Sequence, residues 1–477
     1  MNNIWTLLPI VFVLTGSLLV LLLEVFIQRE TKDYLGFVSL MFLVLSGAAC
    51  VTFWNKGYSY FNGDLFLDKL ALFLSLLFII GTALIILISM KYLSLQNTNY
   101  GEYYSLLLFA LIGTLIMVSS TDLIIIFLGL EVLSMSSYAL AGLKRNDEKS
   151  GEAALKYFLL GSFASAFLIY GIAFLYGTSK STEIFSIIDH FQAVSSQSIL
   201  VIAGFGLLII GFGFKIAVVP FHMWTPDVYQ GSPTPITAFF SVLPKAAGFA
   251  VLLRLFGPYF GQITQSQNIF MVLWFLSVLT MVAGNLLALR QKNIKRLLAY
   301  SSIAHAGYLM IAVLAKSHYS LVFYLTVYLF MNIGAFSAVI ALSKKDKEYL
   351  QLKDYAGIGF RYPWIGATLS IFLLSLAGFP PTGGFLAKFY VFSEAVSQDL
   401  VPLVVIGVLA SLISVFYYLR VIVYMYMREP STPFEIDTNN APLVLVLFIC
   451  LYGVIQLGIY PGNVLLFIKQ AVASLPF

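Results

Sequence analysis

The chain has 477 residues, of which 60% are hydrophobic and only 10% charged, and its mean hydropathy is +0.93. A soluble chain of this length could not cover so much apolar surface, which leaves a protein that crosses a membrane many times. The net charge of +5 is spread over short connections and forms no basic patch, so no nucleic-acid partner is expected.

Windows of about 20 apolar residues mark the spans in chain order. The first covers residues 4 to 26, too long for a removed signal and lacking a small-residue cleavage site, so it is read as a retained helix. Others follow near 35 to 54, 68 to 91, 103 to 119, 121 to 142, 154 to 177 and 199 to 219. The remainder lie near 236 to 256, 268 to 288, 297 to 315, 319 to 342, 364 to 379 continuing to 397, 402 to 426 and 441 to 459. The predicted fold class is therefore an all-α polytopic membrane protein of about fourteen transmembrane helices.

Basic residues concentrate in the loops after odd-numbered spans, among them Lys144, Arg145, Lys149, Arg290, Lys292, Lys344, Lys345 and Lys347. Loops after even spans hold only Lys56, Lys69, Lys180, Arg254 and Lys316. By the positive-inside rule the odd loops face the cytoplasm and both termini face outward. The segments "RQKNIKR" and "SKKDKEYLQLKD" are read as solvated anchors that carry topology. Cys50 and Cys450 lie far apart within spans and suggest neither a disulfide nor a metal cluster. No Walker-type or G-x-G-x-x-G phosphate loop is present; Gly204, Gly206, Gly211 and Gly213 fall inside a span and are read as helix-packing positions.

Five ionisable residues stand within the spans: Glu131, Lys156, Lys215, Lys245 and Lys388. Each costs about 2.5 to 3.5 kcal/mol at a helix centre, so each needs a partner or a wet path, and function is the default expectation. Lys156, near the start of its span, is open to a second reading as a lysine that snorkels to the interface. Lys215 is followed by "VVPFHMW", where Pro220 is expected to break the helix before His222. A break at that depth is tolerated only inside protein or beside a wet cavity. The device recurs in "LAGFPPTGGFLAKFYVF", where Pro380, Pro381, Gly383 and Gly384 precede Lys388. Two interrupted spans in corresponding halves point to a transporter built from inverted repeats.

That pattern divides the chain into a three-helix segment at 1–100, a first repeat at 101–260 (spans four to eight), a second at 261–428 (spans nine to thirteen) and a last span at 429–477. His222 and His305 are each open to two readings, a buried hydrogen bond or a proton shuttle; a haem between them finds no other support in the chain. Asp122 in "SSTD" is expected to cap the next helix, and Asp227 to belong to the turn after the break.

The stretch "GFKIAVVPFHMWTPDVYQGSPTPITAFFSVLPKAAGFA" resembles the antiporter-like membrane subunits of respiratory complex I, the NADH:quinone oxidoreductase, and so do "FLGLEVLSMSSYALAG", "KRLLAYSSIAHAGYLMIAV" and "FLLSLAGFPPTGGFLAKFYVF". The match runs from about residue 100 to 400. The resemblance implies fourteen helices and a proton relay of Glu131 paired with Lys215, then Lys245 and Lys388, with His222 and Lys156 in supporting positions; His305 is placed beside them on its proton-shuttle reading. A lysine at Lys388 and little chain past Pro461 fit one of the sister subunits best. It further implies that the chain binds no cofactor itself, that NADH, FMN, iron–sulfur clusters and quinone belong to the assembled complex, and that its partners are sister membrane subunits and, through them, a peripheral redox arm. Related subunits serve multisubunit sodium/proton antiporters and membrane-bound hydrogenases; a purely structural membrane role is the remaining alternative.

Overall fold

A computed structural model describes residues 4–27, 32–56, 58–60, 65–193, 199–256, 267–429 and 440–474. The expected boundary at residues 260 and 261 lies outside the described residues. The helices are α1 (Leu8–Phe26), α2 (Asp33–Phe53), α3 (Lys69–Leu95), α4 (Glu102–Val118), α5 (Leu123–Ala141), α6 (Glu148–Ser179) and the short α7 (Ile184–Ala193). They continue with α8 (Ile199–Ile216), α9 (Thr225–Gly231), α10 (Thr234–Phe256), α11 (Gln267–Leu289), α12 (Ile294–Leu314), α13 (His318–Ala341) and α14 (Ile358–Arg361). The last are α15 (Pro363–Ala377), α16 (Gly383–Ser397), α17 (Val401–Met427), α18 (Ala441–Ile459) and α19 (Gly462–Val472). Two three-residue strands, Tyr58–Tyr60 and Leu65–Leu67, pair antiparallel between α2 and α3.

Among the described residues twelve helices are long and apolar enough to cross a membrane. With α4 as the thirteenth and the α15–α16 pair as the fourteenth, the number matches the hydropathy reading. Helix starts follow local chemistry. The side chain of Asp122 accepts from the amides of Ile124 and Ile125, as expected, and Asp68, Asp147 and Asn293 cap α3, α6 and α12 in the same way. Gly204 and Gly211 of α8 press on Leu175 and Leu168 of α6, where a Cβ would come within 2.8 and 2.7 Å of a side chain, whereas Gly206 faces open space.

Two sets of five spans correspond element by element, α4, α5, α6, α8–α9 and α10 against α11, α12, α13, α15–α16 and α17, with the fourth broken in each. The first two helices of each set lie against each other, α4 on α5 and α11 on α12. Burial separates the inside from the lipid side. In their apolar 18-residue stretches α10, α12 and α13 have 100%, 94% and 94% of residues buried, against 33% for α1, α6 and α17, so these three helices form the interior spine of the bundle.

Both breaks fall where the prolines put them. Helix α8 stops at Ile216, Ala217 takes a φ of +60°, and α9 resumes at Thr225. Helix α15 stops at Ala377 on Gly378, whose φ of +92° is a left-handed cap suited to glycine, and α16 resumes at Gly383.

Candidate functional site

Lys215 occupies the last turn of α8 and is 2% exposed. Its ammonium donates to the Ser134 hydroxyl of α5 at 2.9 Å and sits 5.7 Å from the centre of the Tyr157 ring of α6. Glu131, one turn earlier on α5, accepts instead from Ser165 of α6. Among the described residues no ion pair within 4 Å joins Glu131 to Lys215; each instead has a serine partner. Ser134 is the residue the sequence reading missed here. A serine within a span gives no signal by itself, because its hydroxyl can always bond back to its own helix, as Ser134 also does to Leu130.

Lys245 follows Pro244 inside α10 and is 1% exposed. Its ammonium donates to the carbonyl of Ser302 at 2.8 Å and also to the Ser302 hydroxyl. That hydroxyl also accepts from Tyr328 of α13 at 2.9 Å and stands 3.4 Å from the Tyr229 hydroxyl of α9. One turn along α12 from Ser302, His305 is 2% exposed, with Nδ1 2.7 Å from the Tyr324 hydroxyl and Nε2 3.5 Å from that of Tyr418. Tyr328 and Tyr308 pack on the imidazole at 5.3 and 5.7 Å.

The Lys388 ammonium lies over that Tyr308 ring, 5.0 Å from its centre. It donates to the carbonyls of Leu376 and Ala377 at 3.1 and 2.9 Å, the last of α15, and to Ser411 of α17 at 2.8 Å. A cation on the freed carbonyls at a helix C-terminus is favoured on both hydrogen-bonding and dipole grounds. Lys245, His305 and Lys388 are thus joined through Ser302, Tyr328 and Tyr308. Among the described residues Lys215 reaches this group over rings, Tyr157 stacked on Trp224 at 4.5 Å and Trp224 edge-on to Tyr229 at 6.2 Å.

Two expected participants stand elsewhere. Lys156 is 40% exposed and pairs with Glu152 and, at 2.8 Å, with Asp227, which also binds Arg296 at 2.6 Å. It sits outside the buried track. Asp227 lies in the first turn of α9, where Lys156 and Arg296 both donate to its carboxylate. His222 is 8% exposed within the break, and among the described residues its Nδ1 has no hydrogen-bond partner. Both ring nitrogens of His305 face tyrosine hydroxyls. Among the described residues no three His, Cys, Asp or Glu side chains converge as a metal set.

Two segments read as solvated anchors behave otherwise. Glu348 has a side chain only 11% exposed; it accepts from Lys144 at 2.7 Å, from Tyr92 at 2.9 Å and from Thr234 at 2.5 Å. Burial pushes its carboxyl up, but the charges of Lys295 and Lys144 outweigh this and hold it down at about 2. Lys295 is 1% exposed and donates to the carbonyl of Ser232 at 2.5 Å. Arg254, counted as a loop residue, is 2% exposed and grips Asp68 with two hydrogen bonds of 2.9 Å while also donating to the Val118 carbonyl.

A family model described as NADH:quinone oxidoreductase/Mrp antiporter, TM, matches residues 120–414. NADH-quinone oxidoreductase subunit N of Trichlorobacter lovleyi is 44% identical over 474 residues, covering 98% of this chain and 97% of the relative. A chain of respiratory complex I from Thermus thermophilus, solved with bound aureothin, superposes with a TM-score of 0.81 at 34% identity and covers 96% of this chain and 98% of its own. A chain of the Mrp complex from Dietzia superposes with a TM-score of 0.82 at 19% identity, 99% of this chain and 97% of that one, a likeness of fold.

Proposed function

Because the chain belongs to the NADH:quinone oxidoreductase/Mrp antiporter transmembrane family, we propose that it is the subunit N type of proton-translocating membrane subunit of an NADH:quinone oxidoreductase. Its high-coverage relative carries that name, and a chain of a respiratory complex I shares its fold over nearly its whole length. It is one module of a translocase whose partners are sister membrane subunits and, through them, a peripheral arm. NADH, FMN, iron–sulfur clusters and quinone are assigned to those neighbours.

The observation that carries the reading is the line of three buried lysines and one histidine across two broken helices. Burial in a low-dielectric interior disfavours a lysine's charged form, and a nearby carboxylate favours it. A lysine whose distance to a carboxylate changes therefore gains or loses a proton. Lys215 has two such states within reach, one on Ser134, as observed, and one on Glu131. Moving toward Glu131 loads the lysine; returning to Ser134 favours release toward Lys245. From Lys245 the proton passes by Ser302, Tyr328 and His305 to Lys388, and each of these hydroxyls and the imidazole both accepts and donates. The supporting roles of His222 and Lys156 stay with this proposal, Lys156 as the cytoplasmic end of the Asp227 ion-pair cluster.

Moving one charge against the membrane potential costs about 2.3 kcal/mol per 100 mV. The chain offers no phosphate loop to meet that cost, so the energy arrives through its neighbours. The excess of basic residues in the loops after odd spans supports placement in a bacterial cytoplasmic membrane with both termini outside. Residues 101–260 and 261–428 are taken as the two repeats.

The test is quinone-linked proton pumping in sealed vesicles carrying the intact complex, comparing wild type with Lys215→Ala at matched assembly. A large loss of pumping per electron is expected. Unchanged pumping sinks the relay and leaves a structural membrane subunit.

A further inference from the structure

A buried lysine relay needs a route from water, and the contacts of Lys245 are all internal. At the end of the bundle that carries the basic loops lies a polar cavity of about 630 Å³, lined by Asn97, Lys144, Asp147, Gln230 and Glu348 among others. The Glu348 carboxylate is held there by Lys144, Tyr92 and the Thr234 hydroxyl. Thr234 is the first residue of α10, the helix that carries Lys245. At ~1.5 Å per residue the two lie about 16 Å apart along that helix, roughly half of a ~30 Å hydrocarbon layer.

The interval is not apolar on that side. Thr234, Thr237, Ser241 and Lys245 recur at spacings that stack side chains on one helical face, and none is more than 1% exposed. Thr237 and Ser241 donate back to main-chain carbonyls of Tyr229 and Ala238, so each hydroxyl oxygen keeps its acceptor side. Successive hydroxyls rise by ~4.5 to 6 Å, a gap that one bridging water closes. Chance placement of hydroxyls gives no reason for the row to begin at a buried carboxylate on the wall of a polar cavity and to end at the central lysine.

We propose that this cavity is the entrance for protons bound for Lys245, that the Thr234, Thr237 and Ser241 face of α10 is the route, and that Glu348 is a positioning residue at its mouth. The inference rests on the proton-translocating reading above. Each hydroxyl accepts one proton and releases its own to the next, so a single charge moves and no group is oxidised or reduced. Glu348 stays ionised between Lys144 and Lys295; it orients the Thr234 and Tyr92 hydroxyls and carries no proton itself.

The intact complex in sealed vesicles tests this with the double variant Thr237→Val and Ser241→Ala, beside Ser277→Ala as a control hydroxyl on α11 that bonds the Gly307 carbonyl. The double variant is expected to pump about tenfold more slowly at matched assembly, with a larger solvent deuterium isotope effect, and the control to pump as wild type. Glu348→Gln is expected to raise the isotope effect, a readout that lost stability alone leaves unmoved, and Glu348→Asp to recover part of the rate. Wild-type pumping and isotope effect in the double variant, while Lys245→Ala abolishes pumping, overturns the route and leaves the relay intact. Wild-type pumping in Lys245→Ala as well removes the relay reading itself.

Discussion

The Lys215 ammonium is bonded to Ser134 and not to Glu131, although the two α5 residues are one turn apart. The serine therefore holds the lysine in its unpaired state. A hydrogen bond to a charged group contributes about 1.5 to 3 kcal/mol, so Ser134→Ala shifts Lys215 toward Glu131 and slows proton release. Pumping-coupled turnover is expected to fall about tenfold while assembly stays normal. Wild-type turnover in Ser134→Ala would show that the serine does not set the position of Lys215.

Lys388 satisfies two carbonyls at the end of α15 and the Ser411 hydroxyl. Lys388→Met strands these acceptors, each at about 1 to 3 kcal/mol, so the variant is expected to lose both pumping and thermal stability. Ser411→Ala removes one neutral partner and keeps the cap, and should lower the rate without that stability loss. Thermal inactivation curves of the detergent-solubilised complex separate the two outcomes.

Arg254 and Asp68 form a buried bidentate pair that ties α10 to the start of α3. Removing one partner of such a pair costs about 3 to 5 kcal/mol, because the other charge stays buried alone. Arg254→Met is expected to lower the amount of assembled complex severalfold, and adding Asp68→Asn to restore part of it, measured by native gel of membranes.

Lys156 makes its ion pairs with 40% of its side chain exposed. Such pairs are worth about 0 to 1 kcal/mol and are screened by salt. Lys156→Ala is accordingly expected to reduce pumping less than twofold, a deficit that shrinks at high ionic strength. A loss as deep as that of Lys215→Ala would place Lys156 in the relay proper.

Glu348 is held near 2 by Lys295 and Lys144 in spite of its burial, against about 4.3 for an unfolded glutamate. A depressed folded pKa contributes stability that is complete above the unfolded value and disappears as pH falls through the folded one. The stability deficit of Glu348→Gln is therefore expected to be constant from about pH 5 to 8 and to vanish only below about pH 4. Thermal inactivation of the two complexes across that range measures it; a deficit that fades between pH 6 and 8 would assign it to another group.

Spans, breaks and the buried lysines were legible because each leaves a large mark in sequence: an apolar run, a proline where no helix tolerates one, a charge where lipid forbids one. Their partners were not. Ser134, Ser302 and Ser411 look like any hydroxyl in a transmembrane helix, and Tyr308, Tyr324 and Tyr328 look like packing. Glu348 was hidden for a different reason. Its loop is rich in charge and reads as solvated, and only the convergence of α3, α10, α12 and the loop before α6 closes over it. Arg254 was likewise counted toward topology, whereas its guanidinium lies inside the bundle.

The two broken helices close their ends by different means. In the first, the Phe214 carbonyl is taken by the indole of Trp224 at 3.0 Å and the amide of Ala217 at 3.1 Å, groups that never change charge. In the second, the carbonyls of Leu376 and Ala377 are taken by Lys388 itself. Lys215 can thus trade its proton while its helix end stays pinned, whereas every change at Lys388 alters the clamp on the end of α15. On the proposed relay the first repeat is a valve with a fixed seat, whereas in the second valve and seat are the same part, so a proton leaving Lys388 would loosen the end of α15.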